Sequence, residues 1–322
     1  MREIKVSVPG KVILTGEHAV VYGSLAVAAS INIRMRICLK ASESPSQISI
    51  NFNELQETIE WSSLDDYLNQ GTIPGVICTF VKEAVLEPCF LSFSIENDLP
   101  IGSGMGSSAA FCVGIAGVLL KLKNVDSVED INKLAFKGEN LIHGKASGID
   151  NTVVAYGGLI SYKQGSITHL PFPEKSLKII VVDSKTPKNT KTMVSKVRST
   201  YEKFPLIYSK IFESINSLSE AFIQEITLGN LDNIKELLRI NHNLLRTIGV
   251  SCQVLDDCVN EGEKLGIVGK MTGGGGGGIC VFINEGEDVR AFREKCNERG
   301  WGFMEAEFSR DGIRFEEVNN DN

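Results

Sequence analysis

The chain is poor in the features that mark several protein classes. Its eight cysteines, Cys38, Cys78, Cys89, Cys112, Cys252, Cys258, Cys280 and Cys296, include no C-x-x-C pair. Its four histidines stand at no zinc-ligand spacing from any of them. A structural zinc site is therefore not expected, and the thiols read as reduced and mostly buried in a reducing compartment. No run of 18 apolar residues occurs, which argues against a membrane span. Met1–Val6 lacks the continuous apolar stretch of a signal peptide, so the expected location is cytoplasmic. Basic residues number 33 against 40 acidic, a net charge of −7, which argues against a nucleic-acid binder. An anionic ligand would need a local positive potential.

What remains is an ordinary globular composition with 43% hydrophobic and 23% charged residues, enough apolar surface for a full core. A length of 322 residues suggests two domains at roughly 100–200 residues each. The proline-flanked stretch Leu170–Lys175 reads as the linker, dividing the chain into 1–175 and 176–322. Alternation predicts strands over residues 4–8, Val12–Leu14, Leu25–Ile33, Gln47–Phe52, Leu91–Ile95 and Leu159–Tyr162. Helices are predicted over Gly75–Glu87, Ala109–Lys121, Val128–Ile142 and Ile149–Ala155. The second half begins with a buried strand, Lys178–Asp183. Helices follow over Val194–Leu228, Asn230–Thr247 and Gln253–Leu265. A strand Ile279–Ile283, a helix Glu287–Arg299 and a strand Gly302–Phe308 complete it. That order suggests helices on one face of an antiparallel sheet. The helical stripes allow either ordinary core packing or a homodimer face.

Two glycine-rich segments carry the chemistry. In Pro100–Ala110, Gly102, Gly104 and Gly106 alternate and lead into Ser107, Ser108 and an apolar helix. Glycine lets the backbone approach a ligand closely, and the first N–H groups of a helix lack partners at the positive end of its dipole. Phosphate oxygens suit that place. The loop is not a Walker A sequence, because no Gly-Lys-Ser/Thr follows. It also fails G-x-G-x-x-G, because residue 107 is serine. A serine hydroxyl there can ligate Mg²⁺ beside a phosphate. The second segment, Thr272–Gly278, holds six consecutive glycines. It reads either as a flexible hairpin or as a second loop closing on the phosphates.

Three polar residues stand out beside these loops. Lys11, between Gly10 and an apolar run, can neutralise phosphate charge in a cleft. Its bland reading is a solvated surface lysine. Glu139 and Asp150 are candidate paired carboxylates, one for Mg²⁺ and one beside an acceptor hydroxyl. Their bland reading is as surface acids or helix caps.

Three segments together resemble the GHMP kinase superfamily: Pro9–Gly23 (PGKVILTGEHAVVYG), Leu99–Ala110 (LPIGSGMGSSAA) and Lys270–Gly278 (KMTGGGGGG). Within it they are most similar to the mevalonate kinase branch, as are Ile142–Asn151 and Asp183–Lys191. The resemblance implies a two-lobe α+β fold, with an S5-like N-terminal nucleotide-binding domain and a ferredoxin-like C-terminal domain. It implies an alcohol phosphotransferase using ATP and Mg²⁺, with mevalonate as its small-molecule substrate. Other GHMP kinases, for homoserine or phosphomevalonate, and a catalytically inactive ligand-binding homologue remain the alternatives. A phosphorylated acceptor would call for further basic residues, and none is placed from the sequence.

Residue by residue, the resemblance makes Asp150 and Lys11 catalytic. Ser108 and Glu139 become the Mg²⁺ ligands, with Ser107 as the alternative hydroxyl. ATP falls to Pro100, Gly102, Ser103, Gly104, Met105, Gly106, Ser107, Ser108, Gly274 and Gly275. The acceptor falls to Lys11, Glu17, His18, Asp150 and Thr190, with Glu17 orienting Lys11 or His18. The third motif departs from the family pattern, because Gly274 stands where alanine is usual.

Overall fold

The computed structural model describes residues 1–43, 47–53, 56–84, 89–100, 102–144, 146–172, 177–188, 190–286 and 288–316. Its frame is a pair of long antiparallel strands, β1 (Arg2–Thr15) and β2 (Ala26–Ser42). Val6, Val8, Val12 and Leu14 are fully buried, as the period of two requires. The alternating residues 4–8 and 12–14 thus belong to one strand. The ladder shifts register between Pro9 and Gly10, where proline lacks a donor.

Strands β3 (Gln47–Phe52), β4 (Glu57–Trp61) and β5 (Phe90–Asn97) extend this sheet in the order β1-β2-β5-β3-β4. β3 and β5 run parallel. β6 (Leu159–Lys163) pairs with β2, and β7 (Ser166–Leu170) pairs with β6.

Four helices cover the first sheet: α1 (Ile73–Glu83), α2 (Ser107–Leu122), α3 (Val128–His143) and α4 (Ile149–Tyr156). Every residue of α2 from Ala109 to Leu119 is buried, so this helix is apolar all round and lies in the middle of the lobe. Its fixed position aims the preceding glycine loop. In α3, Ser127 accepts the Asp130 N–H as the N-cap, and Ile131, Leu134, Ala135 and Gly138 form the inward face. Glu139 continues that face at the helical period, so it is buried rather than solvated.

The second sheet is fully antiparallel, ordered β11-β8-β10-β9. Its strands are β8 (Lys178–Asp183), β9 (Gly269–Thr272), β10 (Ile279–Asn284) and β11 (Gly302–Glu307). Along β8, Ile179 and Val181 join the main core, whereas Ile180 and Val182 join a second core with Phe212, Leu245 and Phe282. Burial on both faces explains why this strand reads as a continuous apolar run. Five helices accompany the sheet: α5 (Thr190–Lys203), α6 (Pro205–Leu228), α7 (Leu231–Thr247), α8 (Gln253–Lys264) and α9 (Arg290–Glu298). The last strand, β12 (Arg314–Glu316), returns to pair with β1 in the first sheet.

Two expectations are corrected. The single helix over Val194–Leu228 is two helices, because Pro205 forces Phe204 out of helical geometry, to φ −132° and ψ 60°. The six glycines, with the predicted helix Gln253–Leu265 as the preceding element, instead follow a further strand, β9, and join it to β10. Residues 173–175 of the expected linker, 85–87 and 287 of two expected helices, and Ile101, Lys145 and Asn189 of the motifs lie outside the described residues. Among the described residues no helix is long and apolar enough to cross a membrane.

Candidate active site

The first glycine loop ends at Gly106, the N-cap of α2, in a left-handed conformation with φ 79°. No side chain caps this helix, so its first N–H groups face outward at the positive dipole end. The loop is fastened to β1 where the Lys11 N–H donates to Met105 O at 2.8 Å. A Cβ on Gly106 would stand 2.7 Å from Lys11 Cγ. Glycine is therefore required twice, for the positive φ and for passage of the Lys11 stem. Gly106→Ala should destabilise the fold by about 1–2 kcal/mol from the left-handed backbone alone. It should also displace Lys11, and a thermal melt paired with an ATP titration checks both effects.

Lys11 is 4% exposed, and its Nζ lies 2.9 Å from Asp150 Oδ2. This rules out the solvated reading of Lys11. Asp150 occupies the first turn of α4, which starts after the left-handed Gly148. Glu139 comes from α3. Burial first, and the Asp150 charge second, push its carboxyl up to about 7, while the Ser108 hydroxyl and Lys11 pull it down. Ser108 Oγ is also hydrogen-bonded to His143 Nε2 at 3.1 Å.

Lys11, Asp150, Glu139, Gly102, Gly104, Gly106, Ser107 and Ser108 all line one cavity of about 1070 Å³. Glu17, His18, Thr190, Gly273 and Gly274 line it as well. A buried carboxylate beside a hydroxyl is a hard oxygen donor set, which fits Mg²⁺. Among the described residues no three of His, Cys, Asp and Glu gather as a metal cage.

The second glycine loop is not a free hairpin. Gly276 N–H donates to Val250 O at 2.9 Å, and Gly278 N–H donates to Thr186 O at 3.0 Å. A Cβ on Gly278 would stand 2.9 Å from Ser103 O, so the two glycine loops touch. Gly274 has no positive φ, unlike its five neighbours from Gly273 to Gly278. The backbone there accepts alanine, but Thr190 Oγ1 stands 2.6 Å from the missing Cβ. The side chain of Thr190 thus occupies the space an alanine would need.

Pro100, Ser103, Met105 and Gly275, expected at the site, are not among the residues that line the cavity. Met105 is fully buried and Ser103 Oγ donates to Pro100 O at 2.7 Å, so these residues and Pro100 form the back of the loop. Gly275 packs on Val250 and Met271. Glu17 orients neither Lys11 nor its own neighbour through a side-chain contact. Its carboxylate pairs with Lys270 and accepts from Asn241 Nδ2 at 3.3 Å. His18 Nε2 donates to Gly274 O at 2.9 Å, and burial pushes the ring pKa down, so the imidazole is neutral.

Residue-by-residue reading missed three cations of this cavity. Lys188, Lys191 and Arg198 line it from the segment leading into α5 and from α5 itself. Lys188 spans the two loops, with Nζ 2.7 Å from where a Cβ on Gly104 would be. The two lysines belong to the lysine-rich run Lys185–Lys191, but nothing local distinguishes a cleft lysine from a surface one.

The N-terminal domain of GHMP kinases matches residues 73–158, and the C-terminal domain of GHMP kinases matches residues 219–300. The chain is 35% identical to the mevalonate kinase of Pyrococcus abyssi, over 98% of this chain and 99% of that protein. Its fold is similar to that of the crystal structure of Methanococcus jannaschii mevalonate kinase, with a TM-score of 0.85 and 26% identity over 96% of this chain and 99% of that one. It is also similar to L. major mevalonate kinase in complex with R-mevalonate, with a TM-score of 0.82 and 25% identity over 95% of each chain.

Proposed function

This chain belongs to the GHMP kinase family, and on that premise we propose that it transfers the γ-phosphoryl group of ATP to the 5-hydroxyl of mevalonate, giving 5-phosphomevalonate and ADP. The observation that carries the chemistry is the Lys11–Asp150 pair, 2.9 Å apart in the cavity that both glycine loops line. Asp150 accepts the proton of the acceptor hydroxyl. Lys11 steadies the charge that develops between that oxygen and the phosphoryl group. The N-terminal N–H groups of α2 hold phosphate oxygens, with Lys188 reaching across from the other lobe. Ser108 and Glu139 are the residues that would hold Mg²⁺, with Ser107 as the alternative hydroxyl. Bound there, the ion supplies charge neutralisation and alignment of the phosphates. The neutral His18 and Thr190 face the acceptor. The eight cysteines, free among the described residues, suit a reducing cytoplasm.

Lys191 and Arg198 line the cavity, so cations that suit a phosphorylated acceptor are present. The likeness to mevalonate kinases over nearly the whole chain favours the unphosphorylated acid. A panel of mevalonate, phosphomevalonate, homoserine and galactose with coupled ADP detection tests the choice. Turnover with mevalonate at least tenfold above the others is expected, and a preference for another acceptor would displace this reading.

Lys188 also predicts a pH dependence. Burial first, and Lys11 second, push its pKa down to about 8, while Asp150 pulls it up. His143, whose own pKa burial lowers, feels Lys188 from α3. As pH rises through about 8, free enzyme loses this positive charge and with it attraction for triphosphate. The value of kcat/KM for ATP should fall along that limb while kcat holds. A phosphate oxygen losing a charged donor forfeits about 1.5–3 kcal/mol. Lys188→Met should therefore raise KM for ATP at least tenfold at pH 7 and flatten the alkaline limb, both read from initial rates.

A further inference from the structure

Four side chains, Thr272, Asn241, Lys270 and His18, fasten the end of β1 and the turn after it to the second lobe. Ile13 N–H donates to Thr272 Oγ1 at 3.1 Å, and that hydroxyl donates to Ile13 O at 2.7 Å. Asn241 Nδ2, on α7, is shared between Leu14 O and Glu17 Oε2, each at 3.3 Å. Lys270 Nζ, on β9, pairs with Glu17 Oε1. His18 Nε2 donates to Gly274 O.

The ion pair is the most enclosed of these, with side-chain exposures of 0% for Lys270 and 1% for Glu17. Taking two charges out of water costs several kcal/mol per ion, and apolar residues of similar volume often hold a fold together equally well. A role in fixing one arrangement explains the charges better than stability does. The residue after Glu17 shows what is being fixed. His18 has φ 59° and ψ −46°, outside the regions open to an L side chain. Such a backbone persists only where its surroundings over-determine it. Glu17 is anchored on both carboxylate oxygens, and His18 is anchored through its ring.

We propose that Lys270 and Asn241 are positioning residues. By gripping Glu17 they hold His18 in its strained conformation, and His18 in turn seats Gly274 against the acceptor end of the cleft. Neither Lys270 nor Asn241 lines the cavity, so each acts through another residue. The assignment of that end to the acceptor rests on the function proposed above.

The test is the double variant Glu17→Gln/Lys270→Met, which removes both charges and keeps the volume. Two readouts follow it beside the wild type. One is the His18 Nε2–H signal in ¹⁵N-histidine NMR, which needs no substrate. The other is KM for mevalonate against KM for ATP. The expected result is a folded variant whose His18 signal is lost to solvent exchange. Its KM for mevalonate should rise about tenfold or more, which corresponds to about 1.4 kcal/mol, with KM for ATP changed less than about twofold. A double variant that does not fold makes the pair an element of the fold and overturns the proposal. An unchanged His18 signal overturns it too, as does an unchanged KM for mevalonate in an active enzyme. If the wild type does not phosphorylate mevalonate, the substrate reading fails, and the His18 signal still decides the positioning.

Discussion

Asp150→Asn should lower turnover by about a thousandfold, within the range for a positioned general base. That corresponds to about 4 kcal/mol at the transition state. Asparagine keeps the size of the side chain and cannot accept the hydroxyl proton. Nucleotide binding should survive, because the proposed phosphate cradle from Gly102 to Ser108 consists of backbone and serine groups and does not include Asp150. The variant also leaves Lys11, 4% exposed, without its partner at 2.9 Å. An uncompensated buried cation favours an anionic ligand, so affinity for an ATP analogue should hold or tighten. Calorimetry with a non-hydrolysable analogue, beside coupled ADP detection, separates the two effects. Near-normal turnover would sink the role given to Asp150. Lost nucleotide binding would mean that the substitution disturbed the cradle.

The second large effect is expected for Lys11→Met. Methionine retains the unbranched stem that passes Gly106, so packing in the loop is preserved while the charge is removed. Turnover should fall about a hundredfold or more, the scale of losing one preorganised group aimed at developing charge. Affinity for ATP should change less, since the variant leaves intact the helix N–H groups and Lys188 proposed to hold the phosphates. A further consequence concerns Glu139, whose carboxyl already sits near 7 and is pulled down in part by Lys11. Without that cation, Glu139 is more fully protonated at neutral pH. The Mg²⁺ concentration for half-maximal rate should therefore rise. An unchanged turnover would return Lys11 to the status of a structural ion-pair partner.

Much of the fold was legible because local chemistry decided it. Gln47–Phe52 and Lys178–Asp183 form strands with the bounds their pattern predicts, each carrying a clear apolar signature. The helix after the glycine loop is likewise legible in its uninterrupted apolar run. Pro205 was an available signal for the break between α5 and α6, but the apolar spacing continues across it and masked the break. The burial of Glu139 was also readable, since it completes the stripe of Ile131, Leu134, Ala135 and Gly138. Short strands such as β12 carried no comparable signal. With three residues there is no period to detect, and its existence depends on a free edge of β1 offered by the distant half of the chain.

The sequence by itself determined that two glycine loops, a buried lysine candidate and two acids exist in an order that suits phosphoryl transfer. Glycine spacing, helix starts and hydrophobic period act over a few residues, and their physics is local. Only the tertiary structure decided the pairings. It joined Lys11 to Asp150, gave Glu17 to Lys270 instead of to Lys11, and brought Lys188 into the cleft. Glu17 and Lys270 are separated by 253 positions. No periodicity links residues so far apart. Their meeting follows from the packing of the second sheet and its helices against the first, where a buried charge must find its partner in space.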